Sequence, residues 1–159
     1  MRGMWHLVLC SALVSCAGTP TEVAVSAADL PLAEDSAHVG RSALRVGTIR
    51  MSGADTTLLE LPGVARRGEV AALYLTTYAG GCVGRDTTVT RVDGLRVDVV
   101  PYQRVFVPPA GGACTDNLVL ERRTIRVTFA TTGEAVIRVV GRVWPDRGLV
   151  AIQRRLVVQ

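Results

Sequence analysis

From residue 43 onward, this chain is a series of short runs rich in Val, Leu, Ile and Thr, separated by Gly, Asp and Pro. Turn signals that recur roughly every 8–12 residues are typical of antiparallel β proteins. The runs are Ala43–Met51, Thr57–Leu61, Glu69–Tyr78, Thr87–Val92, Leu95–Val100, Arg104–Val107, Thr124–Ala130, Ala135–Val143 and Leu149–Val158. The sequence therefore predicts an all-β domain of about eight strands, with no convincing helix.

The clearest local signal is the dipeptide Asp93-Gly94 between the runs Thr87–Val92 and Leu95–Val100. A two-residue Asp-Gly connection between alternating runs predicts a hairpin, because a type I′ turn needs positive φ at both positions. In the second run, apolar residues alternate with charged ones, so one face of this strand is expected to be buried. Pro101 is expected to limit the strand to a sheet edge or a bend.

The strand number and the chain length favour an antiparallel β-sandwich with the architecture of immunoglobulin or fibronectin type III domains. The Cys…Trp…Cys spacing of true immunoglobulin domains is missing, since Trp144 follows both Cys82 and Cys114. The similarity is therefore one of architecture, and no family is recognised for residues 43–159. A small β-barrel is the alternative.

The composition limits what the domain can bind. Apolar residues make up 48% of the chain, which is enough for a core, and aromatic residues only 4%, so that core must consist mainly of aliphatic side chains. All 18 basic residues are Arg, and the net charge is +4. This charge is small and scattered along the strands, so we expect no binding of nucleic acid.

The first sixteen residues have the features of an export signal. Arg2 precedes an apolar run from Met4 to Val14, which is too short for a membrane-spanning helix of ~20 residues. The run ends in Leu13-Val14-Ser15-Cys16, which resembles the lipobox of bacterial lipoproteins. The alternative is an ordinary signal peptide that is cleaved near Ala17-Gly18.

The resemblance to the lipobox implies a specific modification. The thiol of Cys16 would receive a diacylglyceryl group, the signal peptidase would cut after Ser15, and the new amino terminus would accept a further chain such as palmitate. Two or three acyl chains are enough for stable anchoring in a membrane. The implied location is the bacterial cell envelope. In a host with two membranes, the absence of Asp after Cys16 favours the outer membrane, with the domain facing the periplasm or the surface.

These patterns divide the chain into three parts: a signal peptide (1–15), a lipidated N-terminus with a flexible tether (16–42), and one β domain (43–159). The tether is predicted from Pro, Ser, Gly and charged residues without a helical period. An edge strand formed by Glu22–Val25 is the alternative for part of this region.

Cys82 and Cys114 are the two cysteines that remain after removal of the signal peptide and modification of Cys16. Both follow glycine-containing loop sequences, and an exported domain with two such cysteines favours a disulfide. A metal or redox pair and two free thiols are the alternatives. Neither cysteine lies in a CxxC motif or near a histidine.

The sequence offers little catalytic chemistry. His38 is the only histidine after the signal peptide, and it lies in the predicted tether. We therefore predict no catalytic, metal or cofactor site. Carboxylates occur singly along the chain, so a hydrolase of envelope polymers with paired carboxylates stays as an alternative.

A binding surface is suggested by two aromatic and two basic residues near the cysteines: Tyr78, Arg85, Tyr102 and Arg104. Such a patch suits a glycan, a peptide or an anionic envelope polymer. In the competing interpretation, the two tyrosines only cap the core, with their hydroxyl groups in water. The prediction is an envelope lipoprotein with a structural or binding role and, if the fold were an open barrel, a carrier of apolar ligands.

Overall fold

Alternation of apolar and polar residues produces long strands throughout the computed structural model, which describes residues 22–35, 39–52, 59–145 and 148–159. These residues form ten strands and one 3-10 turn (Ala27–Asp29). No helix among them is long and apolar enough to cross a membrane. The strands are β1 (Glu22–Ala24), β2 (Ser42–Val46), β3 (Thr48–Met51), β4 (Leu59–Glu60), β5 (Val70–Ala79), β6 (Val83–Asp93), β7 (Arg96–Phe106), β8 (Val119–Thr128), β9 (Gly133–Trp144) and β10 (Leu149–Val158).

The strands form two layers around one main core. In the first layer, β5 pairs with β8 on one side and with β4 on the other. In the second layer the order is β6-β7-β9-β10-β1. Strand β2 extends the second layer beside β7, and β3 connects the layers because it pairs with both β9 and β5. Side chains from both layers meet in one buried cluster, for example Leu73 and Ile125 against Val99 and Ile137.

The predicted β-sandwich is therefore confirmed, and the barrel alternative is not. The described strands form an open sheet that does not close into a barrel. Tightly packed aliphatic side chains fill the space between the layers. The carrier hypothesis required an open barrel interior, so its structural condition is not met.

The hairpin at Asp93-Gly94 is confirmed, but its second strand is longer than predicted. Asp93 pairs with Arg96, so the turn consists of Gly94 and Leu95, and Gly94 has a φ of 57°. The type I′ conformation predicted for Asp93-Gly94 is wrong, because no non-glycine residue in the described part of the chain has a positive φ; glycine at the first turn position is typical of a type II′ turn. Strand β7 continues through Pro101 inside the sheet, where the sequence analysis expected an edge or a bend. The reason is a change of partner strand on one side of β7. Strand β7 pairs with β9 up to Val99 and with β2 from Tyr102 onward, and Pro101 lies between these two pairings.

The flexible tether predicted for residues 16–42 is wrong for residues 22–35, which pack on the domain. Here the alternative of an edge strand is correct, because β1 pairs with β10. After β1, Val25 and Leu30 contact a second apolar cluster on the outer face of β7, β9 and β10. These residues cover apolar side chains that a domain beginning at residue 43 would leave exposed to water, which is the physical reason for their order.

Ion pairs and hydrogen bonds hold the end of this segment. The Glu34 carboxylate binds the guanidinium of Arg142 and accepts a hydrogen bond from the Val46 backbone N–H at 2.7 Å. The Asp35 carboxylate accepts a hydrogen bond from the Leu44 N–H at 3.1 Å. Backbone donors on the outer edge of β2 are thereby satisfied, so this edge is not available for pairing with another chain.

Gly141 in β9 allows β3 to pack across the core, and this makes a first prediction. A Cβ atom at position 141 would lie 2.4 Å from Ile49 Cγ2, although the backbone itself has an ordinary φ. We expect Gly141→Ala to lower the free energy of unfolding by about 1–3 kcal/mol, because it overpacks the core. Urea unfolding of the single variants Gly141→Ala and Ile49→Ala and of the double variant measures the effect.

The double variant should recover part of the loss, since removal of the Ile49 side chain gives the new methyl group room. The matched control is Gly84→Ala on β6, where no atom lies within 4 Å of the added Cβ. If the loss from Gly141→Ala were the same with and without Ile49, the steric explanation would be wrong.

Candidate functional site

The most unusual buried group is the guanidinium of Arg123 on β8, which is 3% exposed. Its Nη1 group donates to the carbonyl oxygens of Asp86 and Thr87 at 3.3 and 3.0 Å, and its Nη2 group donates to the Tyr102 carbonyl at 2.8 Å. Two further hydrogen bonds reach hydroxyl groups, those of Thr77 at 3.2 Å and Thr88 at 3.0 Å. The cation is thus surrounded by neutral acceptors.

This guanidinium connects two sheet edges that have no backbone pairing with each other. Strand β6 has an irregularity between Arg85 and Thr88, and the carbonyl groups exposed there are the ones that Arg123 binds. The nearby Glu121 carboxylate accepts a hydrogen bond from the Arg85 N–H at 3.2 Å. Burial lowers the pKa of Arg123 to about 10, so the side chain is still charged at neutral pH. Its contacts with backbone groups indicate a structural role.

The sequence analysis missed this residue, although a signal was present. The alternation that buries Ile125 and Val127 on one face of β8, and Phe129 directly after its end, also places Arg123 on that face. Extending the pattern by one step would have predicted a buried arginine that needs acceptors.

The predicted disulfide between Cys82 and Cys114 is confirmed, with a Cα–Cα distance of 5.3 Å. Close packing surrounds the bridge. A Cβ atom on Gly80 would lie 1.8 Å from the Asn117 carbonyl oxygen, and Gly80 and Gly81 both have positive φ. The Gly81 N–H donates to the Asn117 side chain at 2.9 Å. The loop that contains Cys114 is therefore held against the end of β5 at several points.

The predicted binding patch of Tyr78, Arg85, Tyr102 and Arg104 does not form. Tyr102 is fully buried, and its hydroxyl donates to the Leu32 carbonyl and accepts from the Leu32 N–H at 2.8 and 3.0 Å. The competing interpretation had assumed that this hydroxyl lies in water, and it does not. Residues that lie directly opposite each other on β6 and β7 have their side chains on the same face of the sheet. Arg104 lies opposite Gly84, whereas Arg85, the next residue of β6, lies opposite Gln103. The two arginines therefore point to opposite faces.

Arg104 has a structural partner in the same region. Its Nε atom donates to Asp86 Oδ2 at 2.8 Å, and this hydrogen bond lowers the pKa of Asp86 below its ordinary value. Tyr78 is half-buried on the outer face of β5, opposite Leu120. The four residues thus belong to separate surroundings, although they are close in the sequence.

The structure has instead an open groove of about 430 Å³ along the first half of β5. Strand β4 pairs with β5 only as far as Glu60, and the chain then turns away from β5. Residues Val70 to Leu73 of β5 therefore have no described partner strand on the side of β4, and the groove lies there. The outward side chains of β5 line it, with the segment Leu61–Arg66 on the other wall. Val70 is 65% exposed there. The groove thus combines an apolar wall with a free strand edge.

An aromatic ring and an arginine mark one end of the groove. The Arg122 Cζ atom lies 4.1 Å from the centroid of the Tyr74 ring, and Arg122 Nη2 is 2.7 Å from Glu60 Oε2. Tyr74 faces outward and is half-buried, although it belongs to the apolar run Glu69–Tyr78. A cation above an aromatic face is a favourable contact, and both groups remain available to a ligand.

Two carboxylates, those of Glu60 and Glu69, line the same groove. Each forms an ion pair with an arginine, Arg122 and Arg66 respectively, and both side chains are more than half exposed. Glu60 and Glu69 therefore form ordinary surface ion pairs. Within residues 22–35, 39–52, 59–145 and 148–159, no group of three or more His, Cys, Asp and Glu side chains could hold a metal ion.

Two residues singled out from the sequence, Cys16 and His38, lie outside the described residues. Comparisons with known proteins add no family. No protein-family model matches the chain, and neither a curated protein nor a solved structure is significantly similar to it.

Proposed function

We propose that this protein is a lipoprotein of the bacterial cell envelope, anchored through lipid on Cys16, whose β-sandwich acts by binding. The disulfide Cys82–Cys114 is the observation on which the proposal mainly rests. Disulfides persist in oxidising compartments and are rare in the cytosol, so the bridge supports export of the domain. The export signal that ends at Cys16 supplies the route, and the lipobox supplies the anchor.

The groove beside β5 supports binding as the activity. An extended peptide segment is the ligand that fits best, because the free edge at Val70–Leu73 offers backbone donors and acceptors in line with β4. Tyr74 and Arg122 at the end of the groove offer an aromatic and a charged contact. In this groove, the alternative of a hydrolase has two candidate carboxylates, those of Glu60 and Glu69. We favour binding, since both carboxylates are exposed and ion-paired.

The anchor is tested by processing in a bacterial host. We expect the wild-type precursor to accumulate in the presence of globomycin and the mature protein to float with membranes. Cys16→Ala should abolish lipidation and release the domain, whereas Cys10→Ala should be processed normally, because Cys10 lies within the discarded segment. Mass spectrometry of the N-terminal peptide measures the lipid. A Cys16→Ala protein that still carried lipid would contradict the proposal.

A further inference from the structure

The distance between the anchor and the folded domain is short. Cys16 lies six residues before Glu22, where β1 begins. Six residues span at most about 20–22 Å even when fully extended. A tether that ran to residue 42 would allow the domain to stand away from the membrane, but the packing of residues 22–35 on the domain removes that freedom.

The direction of β1 determines which end of the sandwich is near the anchor. Strand β1 is antiparallel to β10, with Glu22 opposite Ile152 and Ala24 opposite Val150. The chain therefore enters from the side of the C-terminal end of β10. From Ile152 to Val158 is about 20 Å along the strand, which matches the reach of the six residues. The opposite end, with the disulfide and Trp144, lies farther from the point of attachment.

The end of the sandwich near the anchor is rich in arginine. Arg66 and Arg67 lie beside the end of β10, since the Ala65 N–H donates to the Val157 carbonyl and the Arg67 N–H to the Gln159 carbonyl. Arg155 lies on the outer face of β10, on the same side as Val157, whereas Arg154 lies on the face that carries the buried residues Ile152 and Leu156. The side-chain carboxylates at this end are those of Glu69 and Glu134, each in an exposed ion pair, and that of Asp93 beside the hairpin turn.

Shape and apolar contacts complete this surface. An open depression of about 480 Å³ is lined by Arg66, Arg67, Glu69, Thr132 and Gln159. Two valines beside it are exposed, Val64 at 45% and Val157 at 48%. Arginine side chains around exposed aliphatic groups suit the boundary between phosphate headgroups and acyl chains.

We propose that this surface (Arg66, Arg67 and Arg155, with Val157) lies against the membrane and binds the phosphate groups of anionic phospholipids. The proposal rests on lipidation at Cys16. The lipid and the arginines then act as two signals for the same membrane, since basic residues near an anionic surface add to the attraction. The domain is held with one end on the bilayer, and the disulfide end faces away from it.

The test uses tryptophan fluorescence of the mature lipidated protein in vesicles. One sample keeps Trp144 as the only tryptophan, and the other combines Trp144→Phe with Val157→Trp. The vesicles contain phosphatidylglycerol and a phospholipid with a nitroxide quencher on its headgroup. We expect the tryptophan at position 157 to be quenched several-fold more strongly than Trp144, because only position 157 lies near the headgroups.

Two changes separate the arginines from the tether. Arg66→Gln/Arg67→Gln should reduce the quenching at position 157, as should replacement of phosphatidylglycerol by phosphatidylcholine. The matched control, Arg41→Gln/Arg45→Gln at the other end of the sandwich, should leave it unchanged. A long Gly-Ser insertion after Gly18 should reduce the difference between the two positions, because the domain then rotates freely.

The outcomes distinguish this inference from the proposed function. If Trp144 were quenched as strongly as position 157, or if the Arg66/Arg67 variant behaved like the control, the inference would be wrong while the anchor stood. If mass spectrometry found no lipid on Cys16 and the protein did not float with the vesicles, both the proposed function and this inference would fall.

Discussion

Arg123→Met should lower the free energy of unfolding by about 3–5 kcal/mol, because three backbone carbonyl groups lose their donor and each unpaired buried acceptor costs about 1–3 kcal/mol. Methionine fills much of the volume of the arginine stem but donates no hydrogen bond. The carbonyl groups of Asp86, Thr87 and Tyr102 would then be left without their donor near the core. Urea unfolding followed by circular dichroism gives the value.

Two further variants show whether the hydrogen bonds are responsible. Arg126→Met, on the exposed side of the same strand, should change stability by no more than about 0.5 kcal/mol. Arg123→Lys keeps the charge but lacks the planar fork of donors, so it should recover only part of the loss. A similar small effect for Arg123→Met and Arg126→Met would show that the buried guanidinium does not hold β8 to β6.

Removal of the disulfide should have an effect of similar size. The bridge joins residues that are 32 positions apart, and a cross-link of this length stabilises by about 3–4 kcal/mol in the chain-entropy model. Cys82→Ser/Cys114→Ser should therefore unfold at a clearly lower urea concentration. Wild-type protein kept in reductant should show the same decrease, because it loses the same cross-link.

The contacts around the bridge predict what survives its removal. Gly80 and Gly81 still pack against residues 114–117 in the reduced protein, so the loop should keep its position in the folded state. The pattern of protected amides in β5 and β8 should then stay the same, although the most protected amides exchange faster because they follow the global free energy of unfolding. An unfolding midpoint equal to that of the oxidised wild type would contradict the assigned role of the disulfide.

Local patterns were enough for most of the strands. The alternation in β8, β9 and β10 and the Asp93-Gly94 turn predicted strands that the structure contains, because side-chain alternation and turn conformation are properties of neighbouring residues. The disulfide also followed from composition and compartment. In each case the decisive interaction is local or depends on the small number of available cysteines.

The candidate site was much less predictable. Tyr102 and Arg104 are two residues apart, yet one is buried under Leu32 and the other is exposed beside Asp86. The N-terminal segment covers the outer face of β7, on which Tyr102 lies. No pattern within β7 itself predicts that this segment packs there. The groove likewise arises because β4 ends after Glu60 and the chain crosses to β10, a contact between residues far apart in the sequence.

The sequence by itself determined the all-β class, the hairpin and the cysteine pair, since each depends on side-chain period, turn chemistry or a count of thiols. Only the tertiary structure decided that residues 22–35 belong to the domain, that Arg123 joins β8 to β6, and that the open groove lies beside β5. These features depend on which apolar faces remain exposed and which backbone donors remain unpaired once the strands have packed. Contacts between residues far apart in the sequence decide both.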